Sequence, residues 1–374
     1  MLRRFTPYLY TLVGAAILLW PAIFNGFPIL NNDDATYLAS GFIPDTPMDR
    51  PITYGLLLRI GTLNGVSLWL AIALQAIMMS WIIRAVLKRI AGFSDKQTLV
   101  IIVLLAAFSP LAYVCSLLMP DIFTAVAVLC IALILVGNLT RGTKIGVYVL
   151  YTLAVAVHMS HVLMFSLLLL LLLVLKKWLL DDELRRGAFK RMVIMLLLTI
   201  STILIMGSAL SKSKHVFFVG AMAKRGVLQA YLAEHCPSDS FRICAYRSEI
   251  VTNNNDFIWN PNSPLYKSGG WDANKEDFNR IIKGSITESR FIKMQIATSL
   301  VATGQQLLQF HMGDGNIPFG PETGLQQDVQ QYLPKDIPRM NAAAQQQARL
   351  LPLLGKLNIV YDVLITISLL VFLV

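Results

Sequence analysis

Two adjacent carboxylates, Asp33 and Asp34, stand directly after an apolar run of about residues 8–26. Held side by side, each raises the other's affinity for a proton, or the two share a cation. A carboxylate of this kind serves as a general base toward a hydroxyl. At the end of an apolar run it would meet a reactive phosphate at the level of a lipid headgroup. The other reading is local: Asn32 or Asp33 caps a helix that starts near Ala35. Tyr37 follows, and then Asp49-Arg50-Pro51. A departing phosphate needs cationic or hydrogen-bonding partners. Arg50, His158, His161 and Lys212 are the candidates. Arg50 could equally be a snorkelling surface residue, Lys212 an anchor, and the histidines interfacial groups without a role. His158 and His161 are three apart, which puts them on one face if a helix continues through them. Ionisable groups at the end of a span are costly unless functional or wet.

The elements that must position these groups come from composition. Of 374 residues, 55% are hydrophobic and 14% charged, with a mean hydropathy of +0.60. Soluble domains run near 45–50% and about 25%. Disorder, fibrous repeats and an ordinary soluble globule are excluded, and membrane spans of roughly 20 residues fit. Apolar runs cover about 8–26, 66–87, 97–114, 120–139, 145–175, 192–210 and 357–374. Ser109-Pro110 splits the third near its end. The fifth is too long for one span, and His158, Ser160 and His161 interrupt it, so it reads as two helices joined by a tight turn. The first run lacks a small-residue cleavage site and reads as an anchor rather than a signal peptide.

The net charge of +10 is placed asymmetrically. Arg3, Arg4, Arg84, Lys88, Arg89, Lys96, Arg141, Lys144 and the 176–191 cluster fall on one face if the N-terminus is cytoplasmic. The basic excess is therefore a topology signal, and nucleic acid is not an expected partner. The expected fold class is an all-α polytopic membrane protein with about eight transmembrane helices. Its expected parts are a transmembrane module 1–210 with a catalytic first outside loop 27–65, a polar and largely helical periplasmic domain 211–350, and a last transmembrane helix 351–374. Cys236 and Cys244 lie in the outside domain, where the compartment permits a disulfide; two unpaired thiols are the alternative. Cys115 and Cys130 read as core residues.

These motifs in this order resemble the GT-C superfamily of polytopic glycosyltransferases, which use lipid-linked sugars. The group includes protein O-mannosyltransferases, aminoarabinose transferases and lipopolysaccharide-core transferases. The resemblance is carried by Asp33-Asp34, Tyr37, Arg50-Pro51, Pro120-Asp121 opening the fourth span, and His158 and His161 at an outside turn. It covers roughly residues 1–210. The turn carries histidines where several relatives carry Lys, and the apolar run at Val374 has no basic flank, as in a truncated chain or a short relative.

The resemblance implies transfer of a sugar from a polyprenyl-phosphate donor to a glycan, lipid or protein acceptor on the periplasmic face of a bacterial inner membrane. It implies Asp33 and Asp34 as catalytic residues, alone or through a divalent cation such as Mg or Mn. Tyr37, Arg50, Asp121, His158, His161 and Lys212 would contact substrate. The competing readings are a transporter or flippase for a lipid-linked glycan, and a non-catalytic membrane scaffold. The acidic residues sit in an outside loop rather than at the midplane, and no internal repeat is visible, which weighs against transport.

Overall fold

A computed structural model describes residues 2–43, 45–179, 182–206, 213–236, 238 and 240–373. The chain is 75% helical, and no strand occurs among the described residues. Its contacts divide it into two units, Met1–Ser211 with His311–Val374, and Lys212–Phe310.

In the first unit the helices run α1 Leu2–Leu18, α2 Trp20–Asn25, α3 Asp34–Phe42, α4 Ile52–Gly61, α5 Leu68–Arg89, α6 Asp95–Phe108, α7 Leu111–Ser116, α8 Ile122–Val136, α9 Arg141–Ala156, α10 Met159–Leu179 and α11 Asp182–Met206. The second unit holds α12 Lys214–Lys224, α13 Val227–His235, α14 Asn254–Trp259, α15 Pro264–Lys267, α16 Gly270–Ala273, α17 Lys275–Thr287 and α18 Ser289–Gln306. The chain then re-enters the first unit with α19 Gly324–Tyr332, α20 Ile337–Asn341 and α21 Leu350–Leu373.

Among the described residues, three helices are long and apolar enough to cross a membrane: Leu68–Arg89, Met159–Trp178 and Leu350–Val371. Of the remaining apolar runs, 192–210 falls in the 25-residue α11, with 207–210 outside the described residues, and the others give shorter helices than the hydropathy pattern suggests. Pro110 is the reason in one case. The residue before a proline is pushed out of the helical region; Ser109 is extended, and the run breaks into α6 and α7. At 14 to 16 residues, α6, α8 and α9 reach about 21–24 Å, short of a 30 Å hydrocarbon core. The 145–175 run breaks where its polar residues stand, with α9 ending at Ala156 and α10 beginning at Met159.

Packing explains the bundle. α1 lies against α5 and α6, α5 against α8, and α8 against α9 and α11. Phe123, Tyr151 and Phe165 are completely buried among them. Outward faces stay apolar: Leu170, Leu171 and Val174 of α10 and Leu369 and Leu370 of α21 are exposed. Ends are capped where the chain turns. Ser94 and Gln97 form a reciprocal capping box at α6. Asp336, distant in sequence and buried, accepts from the Leu68 amide at 2.6 Å and from the Ser67 hydroxyl at 2.9 Å at the start of α5.

Composition groups residues 311–350 with the polar segment from 211. The contacts place them instead with the first unit. Long-range hydrogen bonds to the first loop are the reason, as set out below. The second unit has its own core, including Phe257, Phe278, Ile281 and Phe291. Cys236 and Cys244 are joined in a disulfide there, with Cα atoms 5.6 Å apart. Trp259 and Trp271 pack on Phe217 in the same unit. Cys115 and Cys130 are free and buried in the first unit.

Candidate functional site

The first loop enters on an extended segment tied to the end of α7. The Ile29 amide donates to the Ser116 carbonyl at 3.0 Å, and the Leu118 amide donates to the Ile29 carbonyl at 3.0 Å. Leu30 is clamped by Gln345: its amide donates to Gln345 Oε1 at 3.0 Å, and its carbonyl accepts from Gln345 Nε2 at 2.8 Å and from Asn316 Nδ2 at 2.7 Å. Tyr113 donates in turn to Asn316. Asn31 Nδ2 reaches the Asp314 carbonyl at 3.2 Å. The turn His311–Asn316 is thus a brace for the acidic loop.

The two acids are then split by environment. Asp34 opens α3 and is completely buried. Its Oδ2 accepts from the Asn31 amide at 2.7 Å, while its Oδ1 is buried with no hydrogen-bond partner. Burial raises its pKa well above the usual carboxylate range, the Asn31 bond opposes this, and the neighbouring Asp33 charge adds to it. Asp33 occupies the cap position of α3, but its side chain makes no capping bond. It pairs with Arg50 at 2.8 Å instead, and its side chain is 46% exposed. The capping reading of the sequence is therefore not the one the side chain adopts.

Arg50 is the hub. Its Nε donates to Asp49 at 2.8 Å, Nη2 pairs with Asp33, and its guanidinium carbon lies 4.8 Å over the Tyr37 ring. The side chain is 13% exposed. Tyr37 meets Tyr54 edge-on at 5.0 Å, and Tyr54 donates to Gln75 Oε1 at 2.5 Å. The hub is thereby anchored to α5. A guanidinium has five N–H donors, so donors remain for an oxyanion beyond those given to Asp33 and Asp49.

Close helix packing makes this pair possible. A Cβ on Gly55 would sit 2.6 Å from the Tyr37 carbonyl oxygen and 2.7 Å from the Gly41 nitrogen. α3 and α4 approach at this point because neither glycine has a side chain. Gly55→Ala must push α4, and Arg50 just before it, away from Asp33. The expected cost is about 1–3 kcal/mol, read by thermal unfolding. Gly304→Ala, where a Cβ would meet nothing, should not lower the melting temperature.

Asp121 stands at the start of α8 without a capping bond and is exposed. Its charge acts on Asp34, Tyr37 and His158, which places it in the same electrostatic neighbourhood. His158 lies in the turn between α9 and α10 and bonds Ser160 Oγ through Nδ1 at 2.9 Å. Burial lowers its pKa, while Asp121 and Asp33 pull it up and Arg50 pushes it down. His161 is different. Its Nε2 lies 2.8 Å from Thr124 Oγ1 and its Nδ1 2.7 Å from the Ala154 carbonyl. Both ring nitrogens join α8 to the α9–α10 turn, so His161 is a packing residue. The rings of His158 and His161 stack at 4.9 Å. Lys212 lies outside the described residues.

Among the described residues, no group of three or more His, Cys, Asp or Glu side chains is placed to hold a metal ion. The donor set near Asp33 does not fit a resident Mg or Mn ion. Asp34 is closed off from solvent, and one of the two Asp33 oxygens already carries the Arg50 guanidinium.

Asp33, Tyr37 and Arg50 are thus in direct contact beside the buried Asp34, Asp121 and His158 act on this group through their charges, and His161 is tied to Thr124 and Ala154. No family model, curated protein or solved structure matches the chain. Asp49, Tyr54, Gln75 and Gln345 join this group without having stood out in the sequence, whereas Asn316 lies in the Gly-rich acidic run His311–Asn316, which reads in sequence as an ordinary turn or an acceptor contact. A hydropathy reading treats Tyr54 and Gln75 as parts of apolar helices, and Gln345 sits in a Gln-rich stretch with no local mark. The Asp49-Arg50 adjacency and the Gly-rich turn at Asn316 are the available signals.

Proposed function

We propose that this chain is a membrane glycosyltransferase of GT-C type, moving a sugar from a polyprenyl-phosphate donor to an acceptor hydroxyl on the face that carries the first loop. In this reading the chain spans a bacterial inner membrane about eight times, with the N-terminus cytoplasmic and the site periplasmic. The supporting observation is the carboxylate–guanidinium pair of Asp33 and Arg50, half-open to solvent on one side and seated on Tyr37 on the other. Such a pair offers a base and an oxyanion partner within one side chain's reach.

The acceptor oxygen attacks the anomeric carbon and forms the new glycosidic bond. The bond from that carbon to the phosphate oxygen breaks, and the polyprenyl phosphate leaves with the electron pair. Asp33 takes the acceptor proton. Arg50 answers the negative charge on the departing phosphate. His158, held near neutral charge by burial, is a hydrogen-bonding neighbour. Asp34 is a positioning residue that fixes the turn through Asn31.

The test is a glycolipid and glycan profile, by mass spectrometry, of cells with and without the chain. The expected result is the loss of one sugar-sized mass from an envelope glycan on deletion, restored by the wild-type chain. An unchanged profile overturns the transfer reading.

A further inference from the structure

The far end of the first unit holds chemistry of another kind. A cavity of about 370 Å³ is lined by Trp81, Arg84, Lys88 and Arg89 of α5 and Thr143 of α9. Beside it runs an apolar groove of about 440 Å³, walled by Leu12 of α1, Ile77 and Met78 of α5, and Gly146 and Leu150 of α9. Trp81 borders both spaces. Arg84 is 7% exposed; it donates to Thr11 beside the groove and pairs with Asp95 at 2.5 Å. Lys88 reaches the same Asp95 oxygen at 2.8 Å. Arg84 and Lys88 thus share one carboxylate oxygen, and Arg89 adds a further cation to the lining.

The position matters as much as the charge. α5 is long and apolar enough to cross a membrane, and the cavity lies on its last turns. Gln75, which holds Tyr54 of the acidic site, is nine residues back along α5, about 14 Å at 1.5 Å per residue. On α9, Thr143 is about 22 Å from the His158 turn by the same rise. The two sites lie at opposite ends of α5 and α9.

We propose that the basic cavity and the apolar groove together bind one anionic phospholipid. Its phosphate sits against Lys88, Arg89 and the pre-set Arg84, and one acyl chain lies in the groove between α1, α5 and α9. Cationic side chains at the end of an apolar span attract anionic headgroups, and long basic side chains lay their stems on apolar surface while the charge reaches the interface. Free inorganic phosphate shares the headgroup chemistry. The groove, almost wholly apolar, has a use only if the ligand carries a chain. This inference does not rest on the sugar-transfer reading.

The experiment uses the full chain, purified in detergent and stripped of lipid, with binding read by native mass spectrometry. The probes are dioleoyl phosphatidylglycerol, dioleoyl phosphatidylcholine and inorganic phosphate. Phosphatidylglycerol should be retained in preference to phosphatidylcholine. Lys88→Gln with Arg89→Gln should weaken it by about 30-fold, the loss of two headgroup-facing cations. Gly146→Leu fills the groove and should weaken phosphatidylglycerol while leaving inorganic phosphate unchanged. Gly146→Ala, whose Cβ would make an ordinary 3.8 Å contact with Trp81, controls for folding. Equal retention of the two lipids, or no effect of the double charge removal, overturns the proposal. Phosphatidylglycerol binding that ignores Gly146→Leu while inorganic phosphate competes for it shows a free-phosphate site instead.

Discussion

Asp33→Asn should abolish the proposed sugar transfer, by roughly 10²- to 10⁴-fold, the usual contribution of a positioned general base, while the chain stays folded. The substitution keeps shape and removes only the negative charge. Asp33 makes no capping bond that α3 would lose, and its side chain is half-exposed, so its ion pair adds about 0–1 kcal/mol to stability. Arg50 stays in place because Asp49 holds its Nε at 2.8 Å and Tyr37 lies beneath it. The measurement is the rate of sugar transfer in membranes, beside the melting temperature of the purified variant. A folded variant with undiminished transfer would show that Asp33 is not the base. Loss of folding and rate together would mean that the ion pair serves the structure.

The chemistry of the first loop was legible because it is local. Asp33, Asp34, Tyr37 and Arg50 lie within 18 positions of one another, and the turn at His158 announces itself as polar residues inside an apolar run. What the local pattern does not carry is the division of labour between the two acids. That division comes from contacts the local pattern does not show: Gln345 and Asn316, far away in sequence, clamp Leu30, the Asn31 amide turns back to Asp34, and Gly41 and Gly55 let α3 and α4 approach. None of these has a hydropathy or periodicity signature, since a buried amide and a surface amide look alike in sequence. Helix lengths depart from the hydropathy pattern for a related reason. Window hydropathy sums apolar residues whether or not one helix joins them, and Ser109-Pro110 is enough to turn an 18-residue run into two short helices. His161 shows the opposite limit. A histidine at a span end carries the same letter whether it faces a substrate or bridges Thr124 to Ala154.

Asp34→Asn is expected to stabilise the chain at neutral pH, and this prediction tests the placement of the acid rather than the reaction. The folded-state pKa of Asp34 lies above the ordinary value of about 3.9 that it takes in the unfolded chain. The native state therefore keeps a proton that the unfolded state gives up. By linkage, the stability this confers is fully present below about pH 4 and is lost as pH rises through the folded pKa. Asparagine is a permanently neutral stand-in for the protonated acid. Its side-chain oxygen can still accept from the Asn31 amide, and its NH₂ replaces the oxygen that has no partner. What is relieved is the cost of holding a buried acid protonated at neutral pH, read as a rise in melting temperature. The check is thermal unfolding of both chains from pH 4 to pH 8. The wild-type melting temperature should fall across this range relative to that of the variant, with the two closest at the acid end. Parallel curves would mean that Asp34 is ionised and solvated in the folded chain, and that the split between a buried acid and an open base does not hold.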